Sequence, residues 1–227
     1  MKRFFLLFLV LTGVFNLNAQ INEIGVFLGG SNYIGDIGKT TYINPKDPAF
    51  GIIYKWNRSP RHAYRFSLTQ SELSGNDLDS KVPGRYNRGL AFKNTLTEFS
   101  AGLEFNFFDF NLHQMDTKIT PYVFTGLSYA FYDGLFFSGK TPKSDAKHGT
   151  IAIPMVVGIK TNITPHLVLA GEIGARYSFA DDIDGSNPTN ENLENVRFGN
   201  LLSKDWYVFT GFTLTYAFGE KPCYCFD

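Results

Sequence analysis

The chain has almost no cysteine. It contains two, Cys223 and Cys225, both near its C-terminal end, so no disulfide staples the body of the fold. It has no excess of either charge. Its 21 Lys and Arg balance 21 Asp and Glu, and no basic field argues for nucleic acid. It has no apolar run approaching the ~20 residues that a spanning helix needs. Mean hydropathy is slightly negative, at −0.11. There is no tandem repeat and no low-complexity tract. These absences leave one domain's worth of chain, rich in aromatics (23 Phe, 12 Tyr) and in glycine (22). That mix suits strands better than helices.

The N-terminal residues carry an export pattern. Lys2 and Arg3 precede an apolar stretch from Phe4 to Phe15, and Asn16-Leu17-Asn18-Ala19 then meets Gln20. This is the order of a secretory signal, with a basic start, an apolar centre and a small residue at the cleavage point. Residues 1–19 are therefore expected to be a cleaved signal peptide. A lipoprotein would need Cys where Gln20 stands.

After the signal, alternating segments are separated by Gly, Pro, Asn and Asp. They fall at 21–31, 47–56, 62–71, 94–108, 118–132, 149–162, 165–180 and 205–218. In the fourth, Phe99, Ala101, Leu103, Phe105 and Phe107 share one face, against Glu98, Ser100, Gly102, Glu104 and Asn106. In the sixth, Ile151, Ile153, Met155, Val157 and Ile159 oppose Gly158 and Lys160. In the seventh, Leu167, Leu169, Ile173 and Tyr177 oppose Glu172, Gly174, Arg176 and Ser178. In the last, Val208, Phe212, Leu214, Tyr216 and Phe218 oppose Gly211, Thr213 and Thr215. The first and fifth segments alternate less cleanly.

A soluble lipocalin-like barrel also alternates, with its apolar face inward. Three features favour a membrane barrel instead. The polar face is made of small residues with few charges, which suits a narrow lumen better than a wet exterior. Several segments reach the ~9–11 residues that a tilted strand needs to cross a bilayer. Tyr54, Trp56, Tyr129, Tyr132, Tyr177, Trp206, Tyr207 and Tyr216 gather near segment ends, as in interfacial girdles. The connections also alternate in length. Those at 57–61, 109–117 and 164–165 are short or fairly short, and those at 32–46, 72–93, 133–148 and 181–204 are long. Short periplasmic turns and long outer loops have this rhythm. The expected fold is an eight-stranded antiparallel up-and-down transmembrane β-barrel over residues 20–218, with a periplasmic tail at 219–227. It would sit in the lipid of the cell outer membrane, with both termini periplasmic.

Arg65, Glu98, Glu104, Lys160, Glu172 and Arg176 all fall on faces assigned inward. Buried charges must be paired, so a mixed network across the lumen is expected, with Glu172 partnered by Arg176. A proton or ion path is the functional alternative. The four His are His62, His113, His148 and His166, and none stands in a recognisable nucleophilic arrangement. His148 near Ser144 or Asp145 is the one spatial possibility weighed, and surface loop residues are the preferred reading. The chain reads as non-enzymatic, with no cofactor and no small-molecule substrate. Asp181, Asp182 and Asp184 could offer oxygen ligands to Ca²⁺, but an EF-hand register starting at Asp182 puts Asn187 and Leu193 where Gly and Glu belong. The segment 181–195 reads as a mobile, solvated acidic loop. Cys223 and Cys225 could close on each other, although that ring is tight, or bridge to another chain.

Three stretches resemble PorG-like proteins, small outer-membrane barrels of the type IX secretion system of Bacteroidetes. They are Gly25-Val26-Phe27-Leu28-Gly29-Gly30-Ser31-Asn32-Tyr33-Ile34-Gly35-Asp36, the strand start Pro121-Tyr122-Val123-Phe124-Thr125-Gly126, and Trp206 to Phe218 with its cysteine-bearing tail. The resemblance spans nearly the whole mature chain. It implies a non-enzymatic part that helps assemble or anchor the secretion machinery and supports gliding motility. Its partners would be a periplasmic ring lipoprotein and that lipoprotein's partner subunit. By topology, Cys223, Cys225, Arg58 and Arg61 are the candidates for touching the ring. The alternative is a surface barrel acting in adhesion or defence through its outer loops.

Overall fold

A computed structural model of the protein describes residues 21–112, 116–200 and 202–219. The expected signal peptide, His113 and the tail with Cys223 and Cys225 lie outside the described residues. Eight strands follow one another: β1 (Ile21–Ile34), β2 (Asp47–Asn57), β3 (His62–Asn76), β4 (Ala91–Asn106), β5 (Ile119–Ser138), β6 (Thr141–Asn162), β7 (Leu167–Ser178) and β8 (Trp206–Phe218). Each pairs antiparallel with its neighbour in sequence, and β1 pairs with β8. The sheet is thus a closed eight-stranded up-and-down barrel, and closure removes the edges of its wall.

The wall is inside out relative to a soluble barrel. Glu98, Ser100, Glu104 and Asn106 of β4 are buried, while Phe99, Leu103 and Phe107 are exposed. The same parity holds on β6, where Lys160 is buried and Ile151, Met155, Val157 and Ile159 are exposed. It holds on β8, where Thr213 and Thr215 are buried and Phe212, Leu214 and Tyr216 are exposed. A continuous exterior of Ile, Leu, Val and Phe has no stable home in water. Strands of 11 residues (β2) to 22 (β6) are long enough to carry it across a bilayer. The wall is that of a transmembrane barrel.

Aromatics flank the apolar band at both rims. Trp56 packs on Tyr64, and His62 on Phe105, at one rim; Tyr177 packs on Trp206 and Phe179, and Tyr129 on Phe131, at the other. Two of the expected girdle residues are not there. Tyr132 and Tyr207 fall on the inward parity and are buried among carboxylates.

The connection expected at 133–148 is instead the far half of a hairpin. β5 runs to Ser138 and β6 starts at Thr141, with Gly139 in the left-handed region at φ 66°. Pro142-Lys143-Ser144-Asp145 has loop composition, but the pairs Phe137↔Pro142 and Leu135↔Ser144 hold it in a ladder. A register shift between Asp133 and Leu135 marks an irregularity within this hairpin. β3 and β4 are likewise extended, and the connection expected at 72–93 shrinks to 77–90.

Glycine shapes the wall at two points. Gly29 faces Gly211 across β1–β8, and Gly102 faces Gly126 across β4–β5. A Cβ on Gly102 would lie 2.1 Å from the Thr125 carbonyl oxygen. The two backbones meet there too closely for any side chain.

Candidate functional site

The lumen is a charge network. Four carboxylates (Glu23, Glu98, Glu104, Glu172) and four cations (Lys55, Arg65, Lys160, Arg176) are buried in the wall's interior. Glu104 is the hub. Lys160 Nζ lies 2.6 Å from its carboxylate, Lys55 Nζ 2.9 Å and the Arg65 guanidinium 3.7 Å. Arg65 forks onto Glu172 with two hydrogen bonds of 2.7 Å, and Tyr122 donates to the same carboxylate at 2.5 Å. Planar guanidinium and carboxylate match in this geometry, which fixes both orientations. A second cluster sits nearer the long-loop end. There Arg176 lies 3.4 Å from Glu98, stacks on Phe209 at 4.2 Å, and Tyr207 donates to Glu98 at 2.7 Å. Glu23 accepts from Asn57 and Thr215.

The six charges expected inside are therefore all inside, but the pairing differs from expectation. Glu172 partners Arg65, and Arg176 partners Glu98. Glu172 and Arg176 share the inward face of β7, but they stand four residues apart on it. Along a strand that spacing separates side chains by ~13 Å, beyond contact. Lys55, Glu23, Tyr122 and Tyr207 are members that sequence reading missed. Parity along β2 would have found Lys55, since it shares a face with Ile53 and stands between the outward Tyr54 and Trp56.

Both ends of the lumen are closed. At the short-turn end, the end of β4 and the residues just after it lace onto the β2–β3 turn. Phe110 N donates to the Pro60 carbonyl at 3.0 Å and Asn106 N to the Arg61 carbonyl at 2.8 Å. This buries the Phe110 ring 4.9 Å from Lys160 Nζ, as a floor. At the other end the β7–β8 connection folds down into the mouth. Residues 181–186 are buried throughout. The expectation of a mobile, solvated acidic loop fails here. Ile183 joins a buried apolar cluster with Leu73, Phe92, Leu96 and Leu135, and each carboxylate finds a hydrogen-bond partner. Asp182 accepts from Tyr132 at 2.5 Å and lies 2.5 Å from His148 Nδ1. Asp184 accepts from Ile37 N and Ser186 N, and Asp181 from Asn187. Asp205, at the end of the connection, accepts from Tyr33 and from Ile183 N. Asn94 holds the Ile183 and Asp133 carbonyls at 2.8 Å each.

Burial disfavours the charge on Asp181, Asp184 and Asp205. Burial pushes the Asp205 carboxyl well up, and the neighbouring Asp184 charge pushes it further. Burial also raises Asp184. Burial would raise Asp77 as well, but Arg88 and the Gly38 and Leu90 amides outweigh it and hold that carboxyl low. Among the described residues no group of three His, Cys, Asp or Glu is placed to hold a metal. Ser144 pairs across the hairpin with Leu135, while His148 is turned to Asp182. Arg58 stacks on Trp56 at 5.4 Å, and Arg61 binds Asp109 at 2.5 Å, both on the exposed short-turn rim.

A family model described as a domain of unknown function, DUF6089, matches residues 2–227. The chain belongs to the DUF6089 family. Curated proteins gave this DUF6089 chain no match. Among solved structures it is similar to Ail of Yersinia pestis in complex with the heparin analogue sucrose octasulfate, at 13% identity and TM-score 0.48, over 88% of this chain and 99% of that one. A major outer membrane protein of Thermus thermophilus gives 14% identity and TM-score 0.47, over 88% and 100%. Neisserial surface protein A gives 12% and 0.45, over 88% and 95%.

Proposed function

We propose that this DUF6089 protein is a non-enzymatic outer-membrane anchor that helps assemble the type IX protein secretion machinery and the gliding motility that depends on it. It would do so by contacting a periplasmic lipoprotein ring and its partner subunit. The observation that carries the anchor reading is the sealed lumen. Four positive and four negative side chains neutralise one another, Phe110 closes one end and residues 181–186 the other. A barrel so filled offers no pore, and its working parts are its surfaces. The secretion reading rests on the resemblance. Two of its three stretches lie on β1 and β8, the strands whose pairing closes the barrel. With the short turns periplasmic, Arg58 and Arg61 share the side where such a ring would lie, and β8 ends on that side, ahead of Cys223 and Cys225 in sequence.

The test is gentle detergent extraction from the native cell, followed by identification of co-purifying proteins with and without reductant. Ring components are expected with the barrel, fewer of them under reductant if the tail cysteines bridge. Recovery of the barrel alone in both preparations overturns the proposal. Exchanging the connections at 77–90 and 179–205 for those of an unrelated barrel should leave secretion intact. Lost secretion would move the working surface to the outside.

A further inference from the structure

The bilayer-facing wall carries a groove of about 970 Å³, and its course follows from the strand register. One row of cross-strand pairs runs Pro48–Gly30–Thr210–Ile173–Val157, and the next runs Phe50–Leu28–Phe212–Gly171–Ile159. Pro48 is at the start of β2, on the long-loop rim, whereas Ile159 is close to the end of β6 on the short-turn side. The groove therefore slants from one membrane face toward the other. Gly30, Thr210 and Gly171 keep its floor low, and Leu28, Phe212, Val157 and Ile159 wall it.

The upper end of the groove is built by the first long connection. Asn32 stands on the outward parity of β1, where a bare amide facing hydrocarbon would be costly. It is satisfied by its own loop. Its side chain donates to the Thr41 and Tyr42 carbonyls at 3.1 and 3.3 Å and accepts from Asn44 N at 3.1 Å. This pins the loop against the outside of the wall with Tyr42 and Ile43 exposed, and brings Pro45 and Lys46 to the head of the groove. Lys46 is exposed and has no ion pair among the described residues. The adjacent Asp47 carboxylate is occupied by the Ser74 hydroxyl at 2.7 Å. On the floor, the Thr210 hydroxyl is buried without a hydrogen-bond partner among the described residues.

We infer that this groove binds a single membrane lipid with an anionic headgroup, from the leaflet on the long-loop side. Its acyl chain lies along Gly30, Thr210 and Gly171, its phosphate meets Lys46, and an ester carbonyl accepts from Thr210. A slanted apolar trough with one free cation at its membrane-surface end matches that shape and charge. A lysine at the membrane surface favours an anionic lipid by roughly fivefold.

The full-length protein is placed in bicelles of phosphatidylglycerol or phosphatidylcholine, washed in mild detergent and weighed by native mass spectrometry. One retained phosphatidylglycerol per barrel is expected, with about a fivefold preference over phosphatidylcholine. Lys46→Gln should remove the preference. Gly171→Phe should reduce retention of both lipids severalfold. A Cβ at Gly171 meets only the Phe212 ring, at 3.5 Å, so this variant has room to fold. If it nonetheless fails the heat-shift assay for folded barrel, Thr210→Leu fills the same floor and is read in its place. Three results overturn the inference: no lipid held by the unaltered protein, no preference for phosphatidylglycerol, or a folded groove-filling variant that holds as much lipid as before.

Discussion

Glu104→Gln tests the lumen network where it is most concentrated. The substitution keeps the side chain's shape and removes one negative charge from a group with no solvent exposure. Lys160 at 2.6 Å and Lys55 at 2.9 Å then share one neutral amide oxygen, and the amide's own N–H₂ faces a cation. Breaking a buried pair by removing one partner costs about 3–5 kcal/mol, because the surviving charge stays buried without compensation. Here two lysines survive, and Arg65 at 3.7 Å adds to the excess, so the upper part of that range is expected. The assay is urea unfolding in lipid vesicles, with the gel shift between folded and heat-denatured barrel as a second readout. Combining Glu104→Gln with Lys160→Met restores neutrality, and should recover much of the loss, since a buried pair replaced by apolar groups is often neutral. A loss below about 1 kcal/mol in the single variant, or a double variant worse than the sum of its parts, would refute the hub.

Three further outcomes are expected. The plug should loosen as pH rises. Asp184 and Asp205 have raised carboxyls in the closed mouth, so their contribution is complete at low pH and lost as pH climbs through those raised values. Labelling of Ser186→Cys by an impermeant thiol reagent, relative to exposed Lys143→Cys and with Cys223 and Cys225 changed to Ser, should increase with pH and stay low in Asp184→Asn; a flat profile in both would count against it. Arg88→Ala removes the partner that holds Asp77 low, and hydrogen exchange at the Gly38 and Leu90 amides, both bonded to Asp77, should speed up at neutral pH. Gly102→Val should prevent assembly of the heat-shifting barrel, because its Cβ meets the Thr125 carbonyl backbone at 2.1 Å and backbone cannot swing aside.

The wall was legible because a strand's side-chain period is two and one face must meet lipid. Glu98 and Glu104 stand out among Phe99, Leu103 and Phe105, and the structure keeps that parity. Partner choice within the lumen was not legible. Arg65 reaches Glu172 from β3 to β7 across the barrel's diameter, and nothing in either segment names the other. The plug was misread for a related reason. Asp181-Asp182-Ile183-Asp184 has the composition of a solvated loop, and contacts from Ile37, Asn94, Tyr132 and His148, with the apolar cluster around Ile183, bury it. Local composition reports what a segment can tolerate in water. It does not report the partners that a closed barrel brings to it. The hairpin at Pro142–Lys147 was missed in the same way, since its ladder partners on β5 override its turn-like residues.

The two closures differ in kind, and that difference bears on where a partner can dock. The plug rests on Asp184 and Asp205, whose carboxyls burial raises. The floor depends on backbone bonds from Phe110 N to Pro60 and from Asn106 N to Arg61, and on the ring of Phe110. Backbone amides do not titrate in the range where raised carboxyls do. A rise in pH would therefore act on the long-loop end and leave the short-turn rim of Arg58 and Arg61 in place. The neutral lumen between them holds no net charge to pass the change along. On the proposed function, with the short turns periplasmic, such an anchor would keep its grip on the ring through the short-turn rim while the plug at the opposite end loosens.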